Sequence, residues 1–129
     1  MNTNLTKTLA PRTWRSQAMQ SQYESDRQSD LKKPDGCPLC KAESIETFTY
    51  WRTIPNKYPY DAVTQKHEMI IPIRHCTEKD LTEVEKNELK ELKTTFINDH
   101  YIYLIEALPN SKSIPGHHHL HLVVPKTVD

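Results

Sequence analysis

The segment Pro115-Gly116-His117-His118-His119-Leu120-His121-Leu122-Val123-Val124-Pro125 places four imidazoles within five residues. A neutral imidazole nitrogen is a nucleophile near pH 7, and a protonated ring nitrogen is a hydrogen-bond donor. Such a set suits chemistry at phosphorus. One ring attacks and holds a nucleotidyl group, and a second donates to a non-bridging oxygen, where charge builds in the transition state. On a β-strand alternate side chains share a face. His117, His119, His121 and Val123 then line one face, with neighbours about 6.5 Å apart along the strand. His118, Leu120, Leu122 and Val124 line the other and pack into the core. Three blander readings compete: a surface metal-chelating tract, a residual purification tag, and chance alternation on a half-exposed strand. A tag is ordinarily a terminal run of consecutive histidines and does not continue into Leu-His-Leu-Val-Val.

A second chemical signal is Cys37-Pro38-Leu39-Cys40. A C-x-x-C pair is either redox-active or half of a zinc site. The redox reading needs a strand before the pair and a helix after it in a βαβ setting, which this sequence does not display. Zinc needs two further soft ligands. No second cysteine pair exists, so histidines must supply them, from His67, His75, His100 or the 117–121 cluster. His75 ends a strand and His117 opens the histidine strand, so Cys37, Cys40, His75 and His117 form a reasonable Cys2His2 set. Cys76, the third cysteine, reads as a small buried side chain.

The elements that position these groups follow from pattern. Residues 1–32 form a polar extension. Trp14, Met19 and Tyr23 are loosely spaced for a short helix from Thr13 to Arg27, with a disordered extension as the competing reading. Lys33-Pro34-Asp35-Gly36 is a turn signal, and a single domain occupies 33–129. Strands are expected at 45–54, at His67–Ile73, at Tyr101–Ala107 and at His117–Val124. Loops are expected at Pro55–Pro59 and Pro109–Pro115. The clearest helix runs from Thr82 to about Asp99. Thr82 and Glu85 fit a capping box, and Val84, Leu89, Leu92, Phe96 and Ile97 fall mostly on one side. One long helix among strands is an α+β pattern built on an antiparallel sheet.

Bulk properties narrow the function. The 129 residues carry 17 basic and 17 acidic side chains. The resulting zero net charge disfavours a nucleic-acid binder, without excluding a small charged ligand. No apolar run is long enough to span a membrane. The first residues lack a signal-peptide pattern, so a cytoplasmic location is the expectation.

Taken together, these blocks resemble the HIT (histidine triad) superfamily, in particular its zinc-containing branch, and are similar to galactose-1-phosphate uridylyltransferase-like enzymes. His117-His118-His119-Leu120-His121-Leu122-Val123 matches the pattern His, apolar, His, apolar, His, apolar, apolar, with His118 as the departure. Asn56-Lys57-Tyr58-Pro59 resembles the family's Asn-x-x-Pro turn, and His67 through His75 its His, apolar run, Pro, x, Arg, His segment. The Leu81-Thr82 helix start and the upstream Cys37-x-x-Cys40 are also similar. The match covers roughly 36–126.

The resemblance implies a sheet of about five strands, with one long helix and a short N-terminal helix, and commonly a homodimer. It implies that His119 is the nucleophile, that His121 contacts the phosphate, and that His67 orients the triad. Asn56 would approach the ribose. Cys37, Cys40, His75 and His117 would bind a structural zinc. The implied activity is hydrolysis of a nucleoside phosphoramidate or a dinucleotide. A nucleotidyltransferase or phosphorolase, and an inactive zinc-stabilised nucleotide-binding module, are the alternatives. Two departures bear on activity. The family's serine before the triad falls one place early, as Ser113, and Lys66 stands where the family usually has Gly.

Overall fold

The computed structural model describes residues 14–31, 36–109 and 114–127. Ser113 lies outside them. The elements in chain order are α1 (Gln17–Leu31), α2 (Pro38–Lys41), β1 (Glu46–Thr47), β2 (Trp51–Pro55), β3 (Thr64–Pro72), a 3-10 turn (Glu78–Asp80), α3 (Glu83–Thr94), α4 (Phe96–His100), β4 (Tyr103–Ile105) and β5 (Leu120–Pro125). The fold is α+β. Its five strands form one antiparallel sheet in the order β1-β2-β3-β5-β4. Among the described residues no helix is long and apolar enough to cross a membrane.

Two apolar clusters sit on the sheet. The larger joins Trp51, Ile70, Leu120 and Leu122 to Leu92 and Ile97 of the helical layer. The smaller contains Leu39, Ile54, Met69 and Ile71. The alternation expected for the histidine segment holds for Leu120, Leu122 and Val124, which pack into the larger cluster or against it. Trp51 is fully buried and satisfies its indole N–H by donating to the Glu85 carbonyl. Cys76 is buried, as expected.

Several boundaries differ from the sequence reading. The strand expected at 45–54 is a tight hairpin, β1 and β2, closed by the Phe48 N–H donating to the Trp51 carbonyl. The expected long helix breaks at Thr95, whose φ of −119° and ψ of −98° are not helical, so α3 and α4 are separate. The capping box of Thr82 and Glu85 is present. Val84, expected on the packed side, is exposed. Glu85 takes the buried place beside it, because Arg74 pairs with its carboxylate at 2.8 Å and the Thr82 N–H donates to it. That pair holds the Glu85 carboxyl below the usual carboxylate range.

β5 starts at Leu120, so His117, His118 and His119 precede the strand instead of lying in it. The register supplies the reason. Ile70 pairs with Leu120, and continuing the ladder sets Pro72 opposite His118. A proline has no N–H to donate. His118 instead donates its backbone N–H to the Cys76 carbonyl.

α1 is ordered and docked, although it starts and ends about four residues later than the sequence suggests. Its own apolar content is weak, so local bonds support it. Ser16 Oγ accepts from the Met19 N–H, and Gln20–Glu24, Gln22–Asp26 and Tyr23–Arg27 are bonded one turn apart. The segment is tied down by Ala62 N–H donating to the Trp14 carbonyl and by Ser16 N–H and Oγ donating to Asp61. Trp14 packs edge-on to Tyr60, and Tyr23 edge-on to Tyr58.

Candidate functional site

The histidine segment feeds two separate clusters. His117 turns toward α2. There Cys37 Sγ lies 3.6 Å from His117 Nδ1, and Cys40 Sγ lies 3.4 Å from the same atom and 3.2 Å from His75 Nδ1. All four ligand atoms fall within 4.8 Å of one another. A tetrahedral zinc site with ordinary Zn–S and Zn–N bonds has S···N edges of about 3.5 Å. Two thiols and two imidazole nitrogens at these separations fit a zinc ion in both geometry and donor chemistry. The far nitrogen of His117, Nε2, lies 3.0 Å from the Pro72 carbonyl, so its proton goes there and Nδ1 keeps a lone pair for a metal. Burial holds the His117 imidazole below its usual range, which favours the neutral ligand form. The one-turn helix α2, started by Pro38, sets the two thiols on one side.

The second cluster gathers His67, His119 and His121. In the sheet His67 pairs with Val123, and His121 with Met69, so the two histidines are diagonal neighbours on one face. His67 Nε2 is 2.8 Å from His121 Nδ1. The Tyr60 N–H donates to His67 Nδ1 at 2.9 Å. A backbone amide can only donate, so His67 carries its proton on Nε2 and passes that hydrogen bond to His121 Nδ1. His121 is then protonated on Nε2. Asn56 sits here too. Its Oδ1 accepts from the Tyr58 N–H, and its Nδ2 lies 3.0 Å from His67 Nε2. It therefore borders His67.

His119 is fixed in the opposite sense. Its Nδ1 lies 2.9 Å from the His117 carbonyl and must donate to it. Its lone pair is on Nε2. The rings of His119 and His121 are 5.6 Å apart and nearly perpendicular. Neighbouring imidazoles thus present opposite faces of the same chemistry: a basic Nε2 on His119 and an N–H on His121. Burial, and then the charge of Arg15, hold the His67 imidazole down at about 4. Burial, with His67, His119 and Arg15 adding to it, holds His121 down at about 3. Both rings are neutral at physiological pH.

Sequence reasoning did not single out Tyr60 or Arg15. Tyr60 stacks on His121, with ring centres 5.6 Å apart, and leans on His67 at 4.4 Å. Its place in the Tyr58-Pro59-Tyr60 turn beside Asn56 was the available signal. All three rings of this cluster are buried: His119, His67 and His121 are 3%, 6% and 8% exposed. Two cavities of about 310 and 260 Å³ are present, one lined by Lys93, Ile97 and Tyr101 and the other by Leu81, Leu89 and His118, and His119 lines neither. His118, the departure from the triad pattern, is buried on the helix side, edge-on to Trp51. Lys66 is turned away from the triad, near Glu68 and over the Tyr101 ring.

No protein-family model matches the chain, and no curated protein does. Solved structures do. A hypothetical protein from Leishmania major aligns over 73% of this chain and 75% of its own, at 15% identity and a TM-score of 0.54. A histidine triad protein from Clostridium difficile covers 72% and 92%, at 14% identity and a TM-score of 0.48. A hypothetical histidine triad nucleotide-binding protein from Sulfolobus tokodaii covers 78% and 67%, at 17% identity and a TM-score of 0.49. At these identities the likeness is one of fold: this chain has the α+β sheet architecture of the Leishmania major protein.

Proposed function

We propose that this chain is a HIT-type nucleotide hydrolase acting through a nucleotidyl-histidine intermediate on His119. The observation that carries this reading is the pair of opposed tautomers. The His117 carbonyl holds His119 with its lone pair on Nε2, and the relay from the Tyr60 N–H through His67 gives His121 a proton on Nε2. His119 Nε2 attacks the α-phosphorus of a nucleoside phosphoramidate or a dinucleotide. The bond from phosphorus to the leaving group breaks as the P–N bond to His119 forms; a phosphate leaves as an anion, and an amine leaves with a proton taken up from solvent. The His121 N–H donates to a non-bridging oxygen as charge accumulates there. Water then attacks phosphorus and frees His119. His67 is a positioning residue. Asn56 and Ser113 are assigned to the nucleotide side on the family resemblance.

Zinc held by Cys37, Cys40, His75 and His117 would supply folding energy and fix the start of the histidine segment. Closed four-ligand coordination leaves it no position for substrate. We assign 33–129 to the catalytic domain and 1–32 to a polar N-terminal extension. A homodimer is the assembly expected. The edge strand β4 offers an apolar surface for it, with Ile102 and Tyr103 exposed.

The test is to quench a reaction with nucleotide labelled at the α-phosphate and map the label. Label on His119 is expected, and label on another residue overturns the assignment. Product analysis with added inorganic phosphate or a sugar phosphate separates the hydrolase from the transferase reading.

A further inference from the structure

Arg15 stands just before α1 and is nine-tenths buried. Its guanidinium lies 4.2 Å from the ring centre of Tyr23 and 5.1 Å from that of Tyr60. Tyr60 in turn stacks on His121, so the cation is one aromatic layer from the ring assigned to the phosphate. A guanidinium has five N–H donors. Here Nε donates to the Tyr58 carbonyl at 2.8 Å and Nη1 to Gln20 Oε1 at 3.3 Å. No described residue accepts from the remaining donors, and the second terminal nitrogen, Nη2, is not sealed from solvent. No described carboxylate is paired with Arg15 either. Asp61 accepts from Ser16, and Asp26 accepts from Tyr58 and Gln22.

A guanidinium held against two aromatic rings without a counter-charge is a ready partner for an anion reaching it from solvent. A guanidinium fork matches a phosphate in shape and is stronger there than a point charge. Its positive charge already reaches His67 and His121, since it helps hold both imidazoles neutral.

We propose that Arg15 is the cation of an anion subsite across Tyr60 from His121 that takes a second phosphate of the substrate, so that the N-terminal segment selects a phosphoanhydride over a phosphoramidate. The inference rests on the nucleotidyl-transfer reading above for its second clause only. The leaving-group chemistry agrees with it. A phosphate departs from an anhydride as an anion, whereas an amine departs only with a proton, and His67 and His121 are both neutral rings.

Two measurements test it, on full-length wild type, Arg15→Gln and Arg15→Lys. The first is calorimetric binding of inorganic pyrophosphate. Arg15→Gln is expected to weaken it about 10- to 100-fold, and Arg15→Lys, which keeps the charge and loses the fork, by less. The second compares kcat/KM for a dinucleoside polyphosphate and a nucleoside phosphoramidate carrying the same nucleotidyl group. Arg15→Gln is expected to lower the first about 10- to 100-fold and the second less than about 3-fold. Equal losses on both substrates would mean that Arg15 only anchors α1, and would overturn the proposal. So would pyrophosphate binding that is absent from wild type or indifferent to both substitutions. If pyrophosphate binding depends on Arg15 while neither substrate is turned over, the anion subsite stands and the hydrolase reading falls. Arg15→Lys carries the test should Arg15→Gln not fold.

Discussion

The two clusters fed by the histidine segment differ in how they are built. The Cys37, Cys40, His75 and His117 group brings side chains from three chain segments together, and Cys40 and His75 are exposed. The His67, His119 and His121 group is buried; strand register places His67 and His121, and backbone groups fix the protons of His67 and His119. The first group points four metal-type ligand atoms at one another, linked only by weak thiol–imidazole hydrogen bonds, so an ion there would tie the three segments together. The second is satisfied without an ion, and its desolvation keeps imidazoles neutral. On the proposed reading, one five-residue stretch serves structure at its first histidine and chemistry two and four residues later.

If that division holds, substitutions should separate cleanly by readout. His119→Ala should give the largest effect, a loss of kcat of about 10⁴-fold or more, with nucleotide binding by calorimetry nearly unchanged. Retained turnover would break the comparison at once. Cys40→Ser, or removal of metal by a strong chelator, should act on stability instead. A loss of several kcal/mol is expected, read as a fall in melting temperature together with loss of bound zinc by elemental analysis. His67→Phe should lower kcat about 10- to 100-fold by releasing the His121 tautomer. His67→Gln, which still offers an N–H, should lower it less. The zinc content of both should be unchanged.

The smallest and most gradual effect concerns pH. The folded-state values of His67 and His121, about 4 and about 3, lie below the ordinary imidazole value. The unfolded chain therefore binds more protons in this window. The contribution of these rings is full above about pH 6.5 and is lost as pH falls through about 4 for His67 and about 3 for His121, amounting to a few kcal/mol. The Glu85 carboxyl, held low by Arg74, loses its contribution in the same direction at lower pH. Urea denaturation between pH 7 and 4 should show the fall, and His121→Gln should flatten it. A slope that His121→Gln leaves unchanged would mean that the buried pair is not its source.

Much of this was legible from the chain alone. Period-two alternation sorted Leu120, Leu122 and Val124 from the functional histidines, and the Thr82–Glu85 capping box marked the start of α3. Both are local, since side-chain direction and cap chemistry depend on residues within one turn or one pleat. The four metal-type ligands followed from donor chemistry and elimination, with the family resemblance choosing among the histidines, and the fold brings those four together. Tertiary structure decided the rest. Pro72, opposite the segment in register, ends the ladder at Leu120, which no local pattern in 117–124 could reveal. The burial of Glu85 in place of Val84 depends on Arg74 arriving from another segment. The tautomers of His119 and His121 depend on the His117 carbonyl and the Tyr60 amide, and the docking of Arg15 over Tyr60 on contacts more than 40 residues apart. Sequence fixes which groups are offered. Which proton sits on which nitrogen, and which charge is left without a partner, depends on neighbours that only the folded chain supplies.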